Sequence, residues 1–132
     1  MAKRVKALNA FLVDAYGARE ICRAGVIPET QILMNGEFVA MAQGLTLPGG
    51  VHAHIAGIDL VRVGEKDFYV LEDNVRTPSG VSYMLENREV MMRLFPELFA
   101  GQRIAPVDTY ATELLRTLSS VAPSGASNPT IA

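Results

Sequence analysis

Apolar residues recur at helical spacing from the start of the chain. Val5, Leu8, Phe11, Leu12, Ala15 and Tyr16 share one side, while Lys6, Asp14 and Arg19 take other faces. The pattern predicts an amphipathic helix over residues 3–23. Gly25 and Pro28 close it and begin an irregular section that runs through Gly49-Gly50. Short extended pieces are expected there at 31–34 and 38–41, joined by an Asn35-Gly36 turn. Apolar runs over 51–63 and 67–74 then flank the polar stretch Gly64-Glu-Lys-Asp67, which predicts a strand pair. Arg76-Thr-Pro-Ser-Gly80 reads as a turn, and 81–94 as a helix stopped by Pro96. Ser79 is its candidate N-cap, with Ser82 facing Glu86 as the alternative. A last helix is expected over 107–121, with Tyr110, Leu114, Leu115 and Leu118 on one side. The fold class implied is α+β, a small and mostly antiparallel sheet packed against helices. The domain covers 1–122, and 123–132 has the composition of a linker-like tail.

Composition narrows the class. Hydrophobic residues make up 49% and charged residues 20%, which suits a folded domain rather than a disordered segment. At this size a chain buries roughly two-thirds of its unfolded surface. Twelve basic residues against 14 acidic ones leave a net charge of −2 with no basic patch, so no nucleic-acid partner is expected. The single cysteine, Cys22, excludes an internal disulfide and a zinc framework, and reads as a packed thiol. No run approaches the roughly 18 apolar residues of a membrane span, and the N-terminus makes a poor signal peptide. No membrane partner and a cytoplasmic location are expected.

The strand pair carries the candidate chemistry. Side chains alternate along a strand, so Glu72 and Asn74 project together while Asp73 points away. If the strands form a hairpin, Asp59 joins Glu72 and Asn74 at the end remote from the turn. Three oxygen-bearing side chains on one face suit a hard cation such as magnesium, which retains water and bridges to phosphates. A plainer reading has the same acidic groups solvating a strand end or capping the next helix. A Walker B strand would need a phosphate loop of the form G-x-x-x-x-G-K-[ST], which is absent from the sequence. The spacing also fails for a helix-loop-helix calcium loop. His52 and His54, two apart on the expected strand, suggest a zinc pair, yet no third ligand stands at a recognisable spacing. Hydrogen-bonded structural histidines are the alternative.

Three longer segments carry a resemblance: Gly50-Val-His-Ala-His-Ile-Ala-Gly-Ile-Asp-Leu-Val-Arg62, the run from Tyr69 through Glu72-Asp-Asn-Val-Arg-Thr-Pro-Ser-Gly80 to Tyr83, and Leu85-Glu-Asn-Arg-Glu-Val-Met-Met-Arg-Leu-Phe-Pro-Glu-Leu-Phe99. Together they resemble the circularly permuted ATP-grasp family, largely uncharacterised bacterial proteins related to glutathionylspermidine synthetase-type ligases. The likeness extends from Arg4 to about Pro129. It implies that the expected sheet is part of an ATP-grasp fold and that the cofactors are Mg2+ and ATP, the latter as substrate. Asp59, Glu72 and Asn74 would then be metal ligands, with Glu72 bridging two ions. Arg76 would meet the charge of a phosphate or acyl phosphate, and Ser79 would be a weaker contact on the substrate side. His54 and Arg62 belong to the same signature and are carried over as nucleotide-site residues without a defined role. The chemistry implied is phosphorylation of a small carboxylate or peptide by ATP, followed by attack of an amine.

The sequence also departs from that family. Members are several times longer, and a glycine-rich, lysine-bearing loop that grips ATP has no counterpart near Lys3, Lys6 or Lys66. The resemblance therefore implies a fragment carrying the metal-ligand half of a split site, inactive alone. A non-catalytic interaction module derived from an ATP-grasp protein is the competing expectation. Self-association through exposed apolar surface would fit either.

Overall fold

The computed structural model describes residues 1–131, and the chain forms two units, Met1–Arg76 and one beginning at Thr77. The first contains α1 (Ala2–Tyr16), α2 (Glu20–Arg23), α3 (Glu29–Leu33), two 3-10 turns at Ala40–Ala42 and Pro48–Gly50, and a hairpin of β1 (Gly57–Arg62) and β2 (Phe68–Asn74). The second contains α4 (Val81–Leu94), α5 (Glu97–Ala100) and α6 (Tyr110–Ser119). Helices beside an antiparallel sheet make the class α+β, as the hydrophobic pattern implied.

The long first helix expected over 3–23 is broken. Space is too tight for a side chain at Gly17, where a Cβ would lie 2.7 Å from the Val13 carbonyl oxygen. Arg19 turns into the left-handed region at φ 53°, which redirects the chain. Asp14 makes the break tolerable. Its carboxylate accepts the backbone N–H groups of Glu20 and Ile21 at 2.8 and 3.0 Å, satisfying donors that the start of a helix leaves free. Asp14→Ala is expected to lower unfolding stability by about 1 kcal/mol, measured as a shift in the urea midpoint at constant slope.

Two of the expected extended pieces are helical instead. Residues 31–34 fall largely within α3, entered through Pro28 and held by an Arg19–Glu29 ion pair at 2.6 Å. Ile32 is thereby buried. Residues 38–41 run into the 3-10 turn at Ala40–Ala42. Between them the Asn35-Gly36 turn is present. The Asn35 side chain accepts the Glu37 N–H at 2.8 Å, and the Asn35 carbonyl accepts that of Phe38.

The segment expected as the first half of a strand, 51–56, does not pair. Asn9 on α1 takes its place as partner. Its Oδ1 accepts the N–H groups of His52 and Ala53 at 2.8 and 2.9 Å, and its Nδ2 donates to the Ala53 carbonyl at 3.2 Å. Three backbone groups at 52 and 53 are thereby satisfied by a helix side chain rather than by a ladder. Ala53 is buried, and the His52 ring stacks on Tyr16, which also stacks on Phe38. His52 and His54 are therefore loop residues, not neighbours on a strand face.

The hairpin is antiparallel with pairs Gly57↔Asn74, Ile58↔Asp73 and Asp59↔Glu72, then Leu60↔Val70, Val61↔Tyr69 and Arg62↔Phe68. Leu71 is the extra residue of a bulge between the two sets of pairs. Next to the turn, the Val63 N–H donates to the Asp67 carbonyl. Much of the hairpin is open: Tyr69 and Leu71 are 65% and 68% exposed.

In the second unit, α4 has the expected limits, but neither Ser79 nor Ser82 caps it. Gly80, at φ 86°, occupies the N-cap position without a side-chain bond. The last helix is shorter than expected, and Pro96 starts the additional turn α5 rather than merely stopping α4. Arg88 donates to the Ala105 carbonyl at 3.1 Å and lies 5.8 Å from the centre of the Phe99 ring. No helix among the described residues is long and apolar enough to cross a membrane.

Candidate functional site

Direct opposition in an antiparallel ladder puts two side chains on the same face. Asp59 is opposite Glu72, and Asn74, two residues along β2, shares that face opposite Gly57. Gly57 itself contributes no side chain opposite Asn74. The Asn74 Nδ2 donates to Glu72 Oε1 at 3.1 Å, so the amide and one carboxylate are already in contact. Both carboxylates are exposed. Among the described residues neither has an ion-pair partner.

Two like charges set opposite each other oppose pairing rather than promote it. This sheet therefore carries an electrostatic cost at its open end, one that a bound cation would relieve. The donors are hard oxygens, and their face is open to solvent, as magnesium with its retained waters and phosphate oxygens requires. No group of three or more His, Cys, Asp or Glu side chains gathers as a metal site among the described residues. Asn74 adds a neutral amide oxygen to the same face.

Asp73 projects to the opposite face and meets Arg4 of α1. Arg4 Nε donates to both carboxylate oxygens at 2.7 and 2.8 Å, and Nη2 donates to Oδ2 at 2.5 Å. The guanidinium holds the Asp73 carboxyl below the usual carboxylate range, while Asp73 raises the Arg4 pKa.

The remaining candidates are dispersed. Arg62 is at the turn end of β1, where its guanidinium donates to the Gly64 and Glu65 carbonyls at 2.8 and 2.7 Å. It braces the turn and lies three residues along the strand from Asp59. Arg76 follows β2 and forms an exposed ion pair with Glu37. Among the described residues the buried His54 Nε2 has no hydrogen-bond partner. Ser79 is exposed in the turn ahead of α4, in the second unit.

Sequence reasoning did not single out Asn9, Arg4 or Asp73 as site-building residues. The partners that place them at the site are 43 to 69 positions away, and only the hairpin's odd–even alternation hinted that Asp73 faces a different neighbour. A groove of about 670 Å³ in the second unit, lined by Leu85, Arg88, Met92, Phe99, Ile104 and Val107 among others, was also not foreseen.

An uncharacterised protein of Mycobacterium tuberculosis (strain ATCC 25618 / H37Rv) is 50% identical over 131 residues, covering 99% of this chain and 24% of its own length. One from Synechocystis (strain ATCC 27184 / PCC 6803 / Kazusa) is 44% identical over 131 residues, 99% of this chain and 27% of its own. A Frankia casuarinae protein named "Putative glutamate--cysteine ligase 2-2" is 35% identical over 133 residues, 100% of this chain and 15% of its own. The chain thus spans about a quarter of the length of the first two relatives. The model of a circularly permuted ATP-grasp family matches residues 1–132, and the chain belongs to that family.

Proposed function

We propose that this chain supplies the cation-binding part of an ATP-dependent carboxylate–amine ligase. The observation that carries the reading is the facing pair Asp59 and Glu72, without ion-pair partners among the described residues and with Asn74 on the same face. Membership of an ATP-grasp family and similarity to a protein named as a ligase support it. Asp59, Glu72 and the Asn74 amide would hold magnesium, which when bound neutralises charge on the phosphates of ATP. In this reading a carboxylate takes the terminal phosphoryl group of ATP, releasing ADP. An amine then attacks the acyl carbon, phosphate leaves with its electron pair, and the amine gives up a proton to form the amide.

The residues of this chain position and balance charge. The neutral Asn74 limits the repulsion that an incoming polyphosphate meets, while the two carboxylates provide the attraction for the cation. Arg76 offers a guanidinium to an anion, which must displace Glu37 from it. Arg62 acts at a distance by bracing the turn. His54 remains a nucleotide-site contact on the strength of the family signature alone. The exposed Tyr69 and Leu71 favour a second reading, an association module that does not turn over.

Calorimetric titration of ATP, with and without Mg2+, into the intact polypeptide carrying this sequence tests the proposal. Magnesium-dependent binding that weakens by about tenfold or more in Asp59→Asn is the expected result. Equal affinity with and without the metal, or in wild type and variant, overturns it.

A further inference from the structure

We propose that Arg4 and Asp73 are a positioning pair that fixes the strand register at the acidic end of the hairpin, an inference that rests on the cation-site reading above. A hairpin turn ordinarily sets the register of its strands. Here that control is interrupted. The turn at 63–67 governs the pairs Leu60↔Val70 to Arg62↔Phe68, but the bulge at Leu71 lies between them and Asp59↔Glu72. Beyond a bulge, two registers one residue apart compete, and the wrong one turns Glu72 and Asn74 away from Asp59. A two-stranded sheet is itself marginal, and two facing carboxylates push its ends apart.

Arg4 opposes both effects from the other face. Its planar fork takes both oxygens of Asp73, the one residue between Glu72 and Asn74, so holding Asp73 on α1 leaves its neighbours on the opposite side. The Asp73 side chain is only 12% exposed against 47% for Arg4, and Ile58 across from it is half-buried. The Asp59 and Glu72 face stays open. Five residues along α1 from Arg4, Asn9 fastens the chain just ahead of β1. One helix thus secures both strands at the end where the turn has lost its hold.

The test combines hydrogen exchange with binding of Mn2+ alone, followed by electron paramagnetic resonance, in the intact polypeptide. Arg4→Met and Asp73→Asn are expected to speed exchange about tenfold or more at 57–59 and 72–74, while 60–62 and 68–70 stay within about twofold. Mn2+ affinity is expected to fall about tenfold in the same variants. The exchanged pair, Arg4→Asp with Asp73→Arg, should recover most of both effects. Arg4→Lys should recover only part, because an ammonium cannot engage both oxygens as a fork. A uniform rise in exchange along both strands overturns the proposal. So does wild-type Mn2+ affinity in a folded Asp73→Asn protein whose Glu72→Gln counterpart has lost it. If wild type itself does not bind Mn2+, the cation-site reading fails, while the exchange pattern still decides whether the pair holds the register. Should Arg4→Met not fold, the nearly isosteric Asp73→Asn carries both measurements.

Discussion

Glu72→Gln is expected to reduce magnesium-dependent ATP affinity by about 100-fold or more. A ligand charge at a metal is worth several kcal/mol, and each ~1.4 kcal/mol is a factor of ten. Stability should move the other way. Asp59 and Glu72 oppose each other across the ladder, so neutralising one relieves repulsion and raises stability by about a few tenths of a kcal/mol. Lost binding in an equally or more stable protein is the signature of a residue kept for its ligand. Urea denaturation and calorimetry on one preparation read both quantities. Unchanged affinity in Glu72→Gln would return the acidic face to the plainer role of solvating a strand end.

The second large effect is expected at Asn9, and it is structural. Its side chain makes four hydrogen bonds: two donated, to the Val5 and Ala53 carbonyls, and two accepted, from His52 and Ala53. Asn9→Ala strands two backbone N–H groups in a half-buried segment, and an unsatisfied buried polar group costs about 1–3 kcal/mol. Partial exposure lets water repair some of this, so a loss of about 2–3 kcal/mol is expected, against total stabilities of roughly 5–15 kcal/mol for folded domains. Asn9→Asp keeps the one accepting oxygen but sets a second oxygen against the Val5 and Ala53 carbonyls, and should lose somewhat less than Asn9→Ala. Thermal and urea unfolding of both variants, with near-ultraviolet circular dichroism of the Tyr16–His52 stack, measure the result. Unchanged stability in Asn9→Ala would show that these bonds contribute little.

These effects also mark what was legible in the chain. The hairpin was readable because its signal is local: period-two alternation on both sides of a polar turn, with β2 found one residue from its expected start. Helix α4 was readable for a similar reason, an amphipathic run ending just before Pro96. The common face of Glu72 and Asn74 followed from alternation, but Asp59 comes opposite Glu72 only through the extra residue at Leu71, which alternation does not announce. What escaped detection depended on distant partners. The 51–56 segment has the apolar content of a strand, but its 52–53 backbone is engaged by the Asn9 side chain, more than 40 positions earlier. The break at Gly17 was hidden because the apolar pattern continues through it, and Asp14 resembled an ordinary solvent-facing charge until its two backbone donors were visible. The five-residue α3 is too short for periodicity to separate from an extended piece. Arg62, grouped with the nucleotide site by signature, is held at the turn by bonds to carbonyls that no spacing rule announces.

The extra residue at Leu71 has an evolutionary corollary. It divides the hairpin into a tip and a base that tolerate change unequally. Insertions or deletions in the tip connection between Val63 and Asp67 are absorbed before they reach the base, so homologous sequences should vary in length there. A gain or loss of one residue between Leu71 and Asn74 would rotate the base by half a turn, and lineages keeping the acidic pair should show none.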